Sequence, residues 1–162
     1  MKNLLKMISI ILFFLFFIGC GDNGDTKDQP ADEAEKISSS ELTIENPWIR
    51  PGTQNRNTAL FLVINNQTDK ADTLYDVESD VAQVVEVHES FKTEDDMMGM
   101  RHIEFLEIPA KSKVELKPMS FHVMLIGLNE DLAPGAERSF VLKFKNAGEI
   151  KIAATVKEMM KQ

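Results

Sequence analysis

The chain has 162 residues, 43% of them hydrophobic and 27% charged, with a formal net charge of -8. That length holds one domain plus appendages, and the acidic balance argues against a nucleic-acid partner, because phosphate binding needs a basic surface. Cys20 is the only cysteine, so no internal disulfide can form and the folded part must be stable through packing alone.

Residues 1–19 read as an export signal. Lys2 and Lys6 form a positive start, and Met7 to Ile18 is an apolar run too short for a comfortable membrane span. The run ends Phe17-Ile18-Gly19-Cys20, which resembles a relaxed bacterial lipobox with cleavage before Cys20 and a lipid on its thiol. An uncleaved anchor or an incidental cysteine is the plainer alternative. The two lysines are the only charges in residues 1–19, so removing the signal moves the net charge from -8 to -10. Residues 20–40 hold six acids, Gly24, Pro30 and three serines, and no aromatic residue. Such a segment cannot bury enough apolar area to offset its ordering entropy. As a flexible tether of about 20 residues it averages about 25 Å end to end.

From Glu41 onward short apolar runs alternate with turn signals, which predicts strands. The runs are Leu42–Ile49, Ala59–Ile64, Thr73–Val77, Val81–His88, Met100–Glu107, Lys113–Leu116, Phe121–Ile126, Ser139–Phe144 and Glu149–Val156. Pro51-Gly52, Asn65-Asn66, Pro109, Pro118, Pro134-Gly135 and Asn146-Ala147-Gly148 punctuate them. About nine short strands at this spacing predict an all-β sandwich or barrel over residues 41–157, with 158–162 as a short tail. Ala59–Ile64 is apolar on both faces and reads as a central strand. Met97-Met98-Gly99-Met100 follows Thr93-Glu94-Asp95-Asp96, a polar stretch that reads as a hairpin or loop, where methionine has no obvious packing role. In Phe121–Ile126 the alternation sends Phe121, Val123 and Leu125 to the core and His122 and Met124 to the other, accessible face.

His122 and Met124 are therefore an imidazole and a thioether side by side. Thioether sulfur is a poor ligand for zinc, calcium or magnesium and suits a soft ion, Cu(I) above all. The chain holds nine methionines, and Met97, Met98, Met100, Met119 and Met124 crowd into one short stretch. The histidines are His88, His102 and His122. Taken singly, His88 is a surface histidine, Met124 core filling and Met100 gap filler.

Taken together they match a pattern. His88, Met100, His122 and Met124 stand at the spacing of the PCuAC-type periplasmic copper chaperones: His, an optional Met, ten residues, Met, twenty-one residues, then His-x-Met. Glu89 occupies the optional slot. Glu45-Asn46-Pro47-Trp48-Ile49-Arg50, Val85-Glu86-Val87-His88-Glu89 and Val114-Glu115-Leu116-Lys117-Pro118 also resemble that family, which the chain follows from about Leu42 to Val156. The resemblance implies a cupredoxin-like Greek-key sandwich that binds Cu(I) outside the cytoplasm through His88, Met100, His122 and Met124. It implies transfer of copper to an apo oxidase copper-site domain or another copper chaperone; the chain reads as a monomer, although its sequence leaves the oligomeric state open. Met97, Met98 and Met119 stand as auxiliary thioethers, Met119 in a stretch that is often glycine-rich in the family. His102 reads as a solvated strand residue.

Two imidazoles and two thioethers are neutral donors, a set that favours a monovalent soft ion over hard divalent ones. A histidine's ordinary pKa of about 6.5 predicts release of metal below about pH 6. The body has no cysteine thiolate for an electron-transfer copper site, and no catalytic triad or phosphate loop is apparent, so the chain reads as a carrier and not an enzyme. A surface copper buffer and a metal-free binding sandwich are the alternatives. With a lipid on Cys20, the domain would sit at a bacterial membrane, in the periplasm or on the cell surface.

Overall fold

The computed structural model describes the backbone of Ser38–Ser39 and residues 42–158. These belong to one compact unit, Glu33–Gln162. The signal, Cys20, the rest of the tether and residues 159–162 lie outside the described residues; Ser38–Ser39, expected in the flexible tether, instead pair with Thr43 and Leu42 as a short strand. Among those described, no helix is long and apolar enough to cross a membrane.

The described residues form eleven strands: β1 (Ser38–Ser39), β2 (Leu42–Ile49), β3 (Thr58–Asn66), β4 (Asp72–Glu78), β5 (Ala82–Lys92), β6 (Met98–His102), β7 (Leu106–Ile108), β8 (Ser112–Leu116), β9 (Phe121–Leu128), β10 (Glu137–Phe144) and β11 (Gly148–Val156). They are hydrogen-bonded in the order β6-β5-β9-β3-β2-β11-β10-β4-β7, with β1 on β2 and β8 on β3. Every ladder is antiparallel except the short β11–β2 pair. Val87 and Val123 from one end of this order share a core with Val77, Phe140, Leu142 and Phe144 from the other. The order therefore closes into two layers around one apolar interior, the all-β cupredoxin-like sandwich expected.

The central strand is β3. Leu60, Leu62 and Ile64 enter the main core, and Ala59 and Phe61 are equally buried on its other face. Its edge is shared, with Thr58–Leu60 laddered to β9 and Leu62–Asn66 to β8. Asn66 locks the far end. Its amide donates to the carbonyls of Lys70, Ile108 and Pro109, and its Oδ1 accepts from the Thr68 amide and hydroxyl.

The run expected as one strand over Met100–Glu107 is two. The chain breaks at Ile103-Glu104-Phe105. β6 pairs with β5, and β7 crosses to β4. β6 begins at Met98, two residues earlier than expected, and the polar Thr93–Asp96 stretch forms the hairpin turn before it, closed by Thr93 N–H donating to Met97 O at 2.8 Å.

β2 carries the irregularity that matters for the site. Its register on β3 shifts between Glu45 and Trp48, where Asn46 takes a left-handed φ of 51° ahead of Pro47. This β-bulge changes which residues face which way. It brings Trp48 opposite Phe61, on the face away from the main core, while Ile49 stays inside opposite Leu60.

Candidate metal site

The antiparallel registers place one row of rings across five neighbouring strands. Trp48 on β2 stands opposite Phe61 on β3, with ring centroids 4.5 Å apart. Phe61 lies 6.4 Å from the ring of His122 on β9. His122 pairs with His88 on β5 at 6.1 Å, and His88 pairs with His102 on β6 at 5.9 Å. Directly opposed residues project from the same face, so the three imidazoles share one side of the sheet, away from the apolar core.

The two thioethers flank this row. Met124 is opposite Glu86, and so is diagonal to His88 and two residues from His122 on its own strand. Met100 is opposite Ser90, diagonal to His88 on the other side. Diagonal neighbours in such a ladder are about 7–8 Å apart, within reach of long side chains. His88, His122 and Met124 thus form a close set, and Met100 approaches it from the rim. Met100 is 60% exposed, whereas Met124 and His88 are half-buried.

His122 differs from its expected accessibility: it is only 5% exposed. The cause is distant in sequence. Phe61 on β3 walls it on one side, Trp48, turned onto this face by the β2 bulge, backs Phe61, and the Arg50 guanidinium lies 5.8 Å over the Phe61 ring. Burial pushes the His122 pKa below its ordinary value, partly opposed by a hydrogen bond to the Ser120 carbonyl; the neighbouring charges of His88 and Arg50 lower it further. The buried ring is thereby favoured in its neutral form, the one that can donate to a metal.

The same hydrogen bond fixes the tautomer. His122 Nδ1 is 3.0 Å from Ser120 O. A carbonyl can only accept, so Nδ1 carries the proton and Nε2 keeps the free lone pair, as in many metal-binding histidines. His88 Nε2 lies 3.0 Å from a Glu86 carboxylate oxygen, which likewise holds the proton on Nε2 and leaves Nδ1 as donor. The thioethers of Met124 and Met100 beside these imidazoles would favour a soft ion.

The other candidates fall outside this set. Glu89, in the optional methionine slot, lies on the opposite face of β5 and pairs with Arg101 at 2.6 Å. Met119 is 72% exposed in the turn Lys117–Ser120, which Ser120 N–H closes on Lys117 O at 3.2 Å. Its φ of 65°, behind Pro118, is the type II geometry that glycine favours. Met97 and Met98 are exposed. The direct opposition of His102 and His88 is the feature that sequence reading missed. A hairpin centred on Asp95 places 88 opposite 102, so the signal lay in the polar turn.

The fold is the one that solved PCuAC domains adopt. Three solved structures share the fold. The copper-bound PCuAC domain from PmoF2 is 24% identical, covers 77% of this chain and 99% of that one, and has a TM-score of 0.65. The apo PCuAC domain from PmoF1, also 24% identical, covers 77% and 100% with a TM-score of 0.66. The CuI-DR1885 solution structure from Deinococcus radiodurans, 24% identical, covers 82% and 85% with a TM-score of 0.60. A family profile described as "Putative lipoprotein LpqE-like" matches residues 42–156, and the chain belongs to that LpqE-like family. It is also 25% identical over 158 residues to "Putative lipoprotein Lxx21020" of Leifsonia xyli subsp. xyli (strain CTCB07), covering 96% of this chain and 91% of that one.

Proposed function

We propose that the chain is an extracytoplasmic Cu(I) carrier, held to a bacterial membrane through a lipid on Cys20, that delivers copper toward the copper sites of a cytochrome oxidase. The observation that carries the reading is the 6.1 Å pairing of the His88 and His122 rings with Met124 on the same face. His122 Nε2, His88 Nδ1 and Met124 Sδ supply three neutral donors, and Met100 closes the set from the rim. Support also comes from the lipoprotein name of the family and from structural neighbours solved with copper bound.

The donors suit transfer as well as binding. Neutral ligands leave the ion its single charge, and thioethers hold Cu(I) without the oxidation hazard of thiols. A rim ligand as exposed as Met100 can be displaced by an incoming ligand while the buried His122 still holds the ion. The chain acts stoichiometrically, not as a catalyst, and needs no second copy to complete the site.

Mixing the Cu(I)-loaded chain with an apo oxidase copper-site domain tests delivery. Copper appearing on the acceptor faster than free copper released to a chelator supports it. Retention of the ion in the presence of excess acceptor would make the protein a surface copper buffer instead.

A further inference from the structure

The two thioethers of the donor set differ in their access to solvent. Met124 is half-buried in the middle of the sheet, opposite the fully buried Ala59 on one side and Glu86 on the other. Met100 is 60% exposed on β6, the strand that ends the sheet order. That exposure is built into the strand. On the other face of β6, Gly99 lies over Phe91, where a Cβ would come within 2.8 Å of the ring. Arg101 stacks on the same ring at 5.2 Å and pairs with Glu89. Alternate residues of a strand take opposite faces, so the packing of Gly99 and Arg101 holds Met100 outward.

A thioether reacts with a peroxide in one two-electron step. The sulfur lone pair attacks one oxygen, an S–O bond forms as the O–O bond breaks, and the other oxygen leaves with the proton as water or an alcohol. Sulfur is oxidised and the peroxide is reduced. The product, methionine sulfoxide, is polar and presents a hard oxygen where a soft ion had a thioether sulfur. The oxidant has only to reach the sulfur, so exposure decides which methionine is modified. Methionine sulfoxide reductases reverse the change, one enzyme for each sulfoxide epimer, and they need the same access.

We propose that Met100 is a reversible oxidation site, and that its conversion to the sulfoxide by hydrogen peroxide or an organic peroxide loosens the copper site. This rests on the carrier reading above and deepens it by naming a regulation of that site. Oxidation removes the rim donor and leaves His88, His122 and Met124 in place. The ion is then held by three donors and passes more readily to an acceptor. Met97, Met98 and Met119 are 67%, 49% and 72% exposed and react as well. They stand outside the donor set, so their oxidation leaves the affinity unchanged.

The test treats the copper-free full chain with a small excess of hydrogen peroxide and then removes the oxidant. Tandem mass spectrometry reads the sulfoxide at each methionine, and anaerobic competition with a chromogenic chelator reads the Cu(I) affinity. Met100 should oxidise well before Met124, and the affinity should fall by about tenfold or more, since loss of even an outer partner of a metal ligand is felt on that scale. Methionine sulfoxide reductase should restore it. A Met97→Leu, Met98→Leu, Met119→Leu triple variant should lose affinity on treatment as the wild type does. Met100→Leu should start weaker and lose nothing further. Sulfoxide at Met100 with untreated affinity overturns the proposal while leaving the carrier reading standing. So does oxidation of Met124 as fast as Met100, or a triple variant that no longer responds. An untreated chain that binds no Cu(I) overturns both.

Discussion

Removing His122 should reduce the acid sensitivity of copper binding by one proton. Each imidazole that ligates Cu(I) must be neutral, so below its pKa it sheds a proton on binding. One such ligand weakens the apparent affinity by about tenfold per pH unit in the acid limit, or about 1.36 kcal/mol, and two weaken it by about a hundredfold. The structure says where the contribution of His122 enters. Burial, with the charges of His88 and Arg50, lowers its pKa more than the Ser120 hydrogen bond raises it. Its neutral form therefore persists below the ordinary value of about 6.5. The wild type should hold a constant advantage over His122→Ala near neutrality. That advantage should shrink by about tenfold per unit only once the pH falls clearly below about 6.5. The assay is an anaerobic competition titration from about pH 7.5 to about 4.5, with circular dichroism at each pH to confirm folding. Parallel curves throughout would mean that His122 is not bound to the ion. An advantage that begins to shrink above about pH 6.5 would refute the burial argument. The stability of the copper-free chain has the same sign: the unfolded state takes the proton more readily, so His122 lowers stability as pH falls below the unfolded pKa of about 6.5.

Three further outcomes follow from particular contacts. Glu89→Met should leave copper affinity unchanged, because residue 89 faces away from His88. Losing its ion pair with the largely exposed Arg101 should cost at most about 1 kcal/mol in urea unfolding; a gain in affinity would mean that the face assignment of β5 is wrong. Met119→Gly relieves the left-handed φ of 65° and should stabilise the domain by up to about 1 kcal/mol. Its Cu(I) titration should match the wild type, and weakened binding would make Met119 a ligand. Asn66→Ala strips partners from the carbonyls of Lys70, Ile108 and Pro109 and should cost about 3 kcal/mol, read as a lower urea midpoint. A midpoint shift worth less than about 0.5 kcal/mol would show that these carbonyls find other partners.

Much of this architecture is legible in the residues because period-two alternation is a local signal. Leu42–Ile49 is found with the bounds expected, and the alternation along β9 places Val123 and Leu125 in the core as read. The break inside Met100–Glu107 was not legible. Ile103 and Leu106 are both apolar, and the decision to cross from β5 to β4 depends on partners supplied by distant strands. The burial of His122 was hidden for a similar reason. Its own strand says only which face it takes; Phe61, which lies against it, comes from β3, and Trp48, which backs Phe61, arrives through the β2 bulge. Asn46-Pro47 marks that bulge in the sequence, but the residue it would turn toward the histidine is fixed only by the β2–β3 and β3–β9 registers. The assignment of His88, Met100, His122 and Met124 as donors rests on motif spacing, to which the registers add proximity and the hydrogen bonds add tautomers.

X-ray absorption on the chain loaded with one equivalent of Cu(I) tests the central claim most directly. The account predicts a mixed shell of imidazole nitrogen and thioether sulfur, with the sulfur contribution reduced in Met124→Ala and the imidazole contribution reduced in His122→Ala. A shell of nitrogen and oxygen alone, or spectra identical in the wild type and both variants, would contradict it.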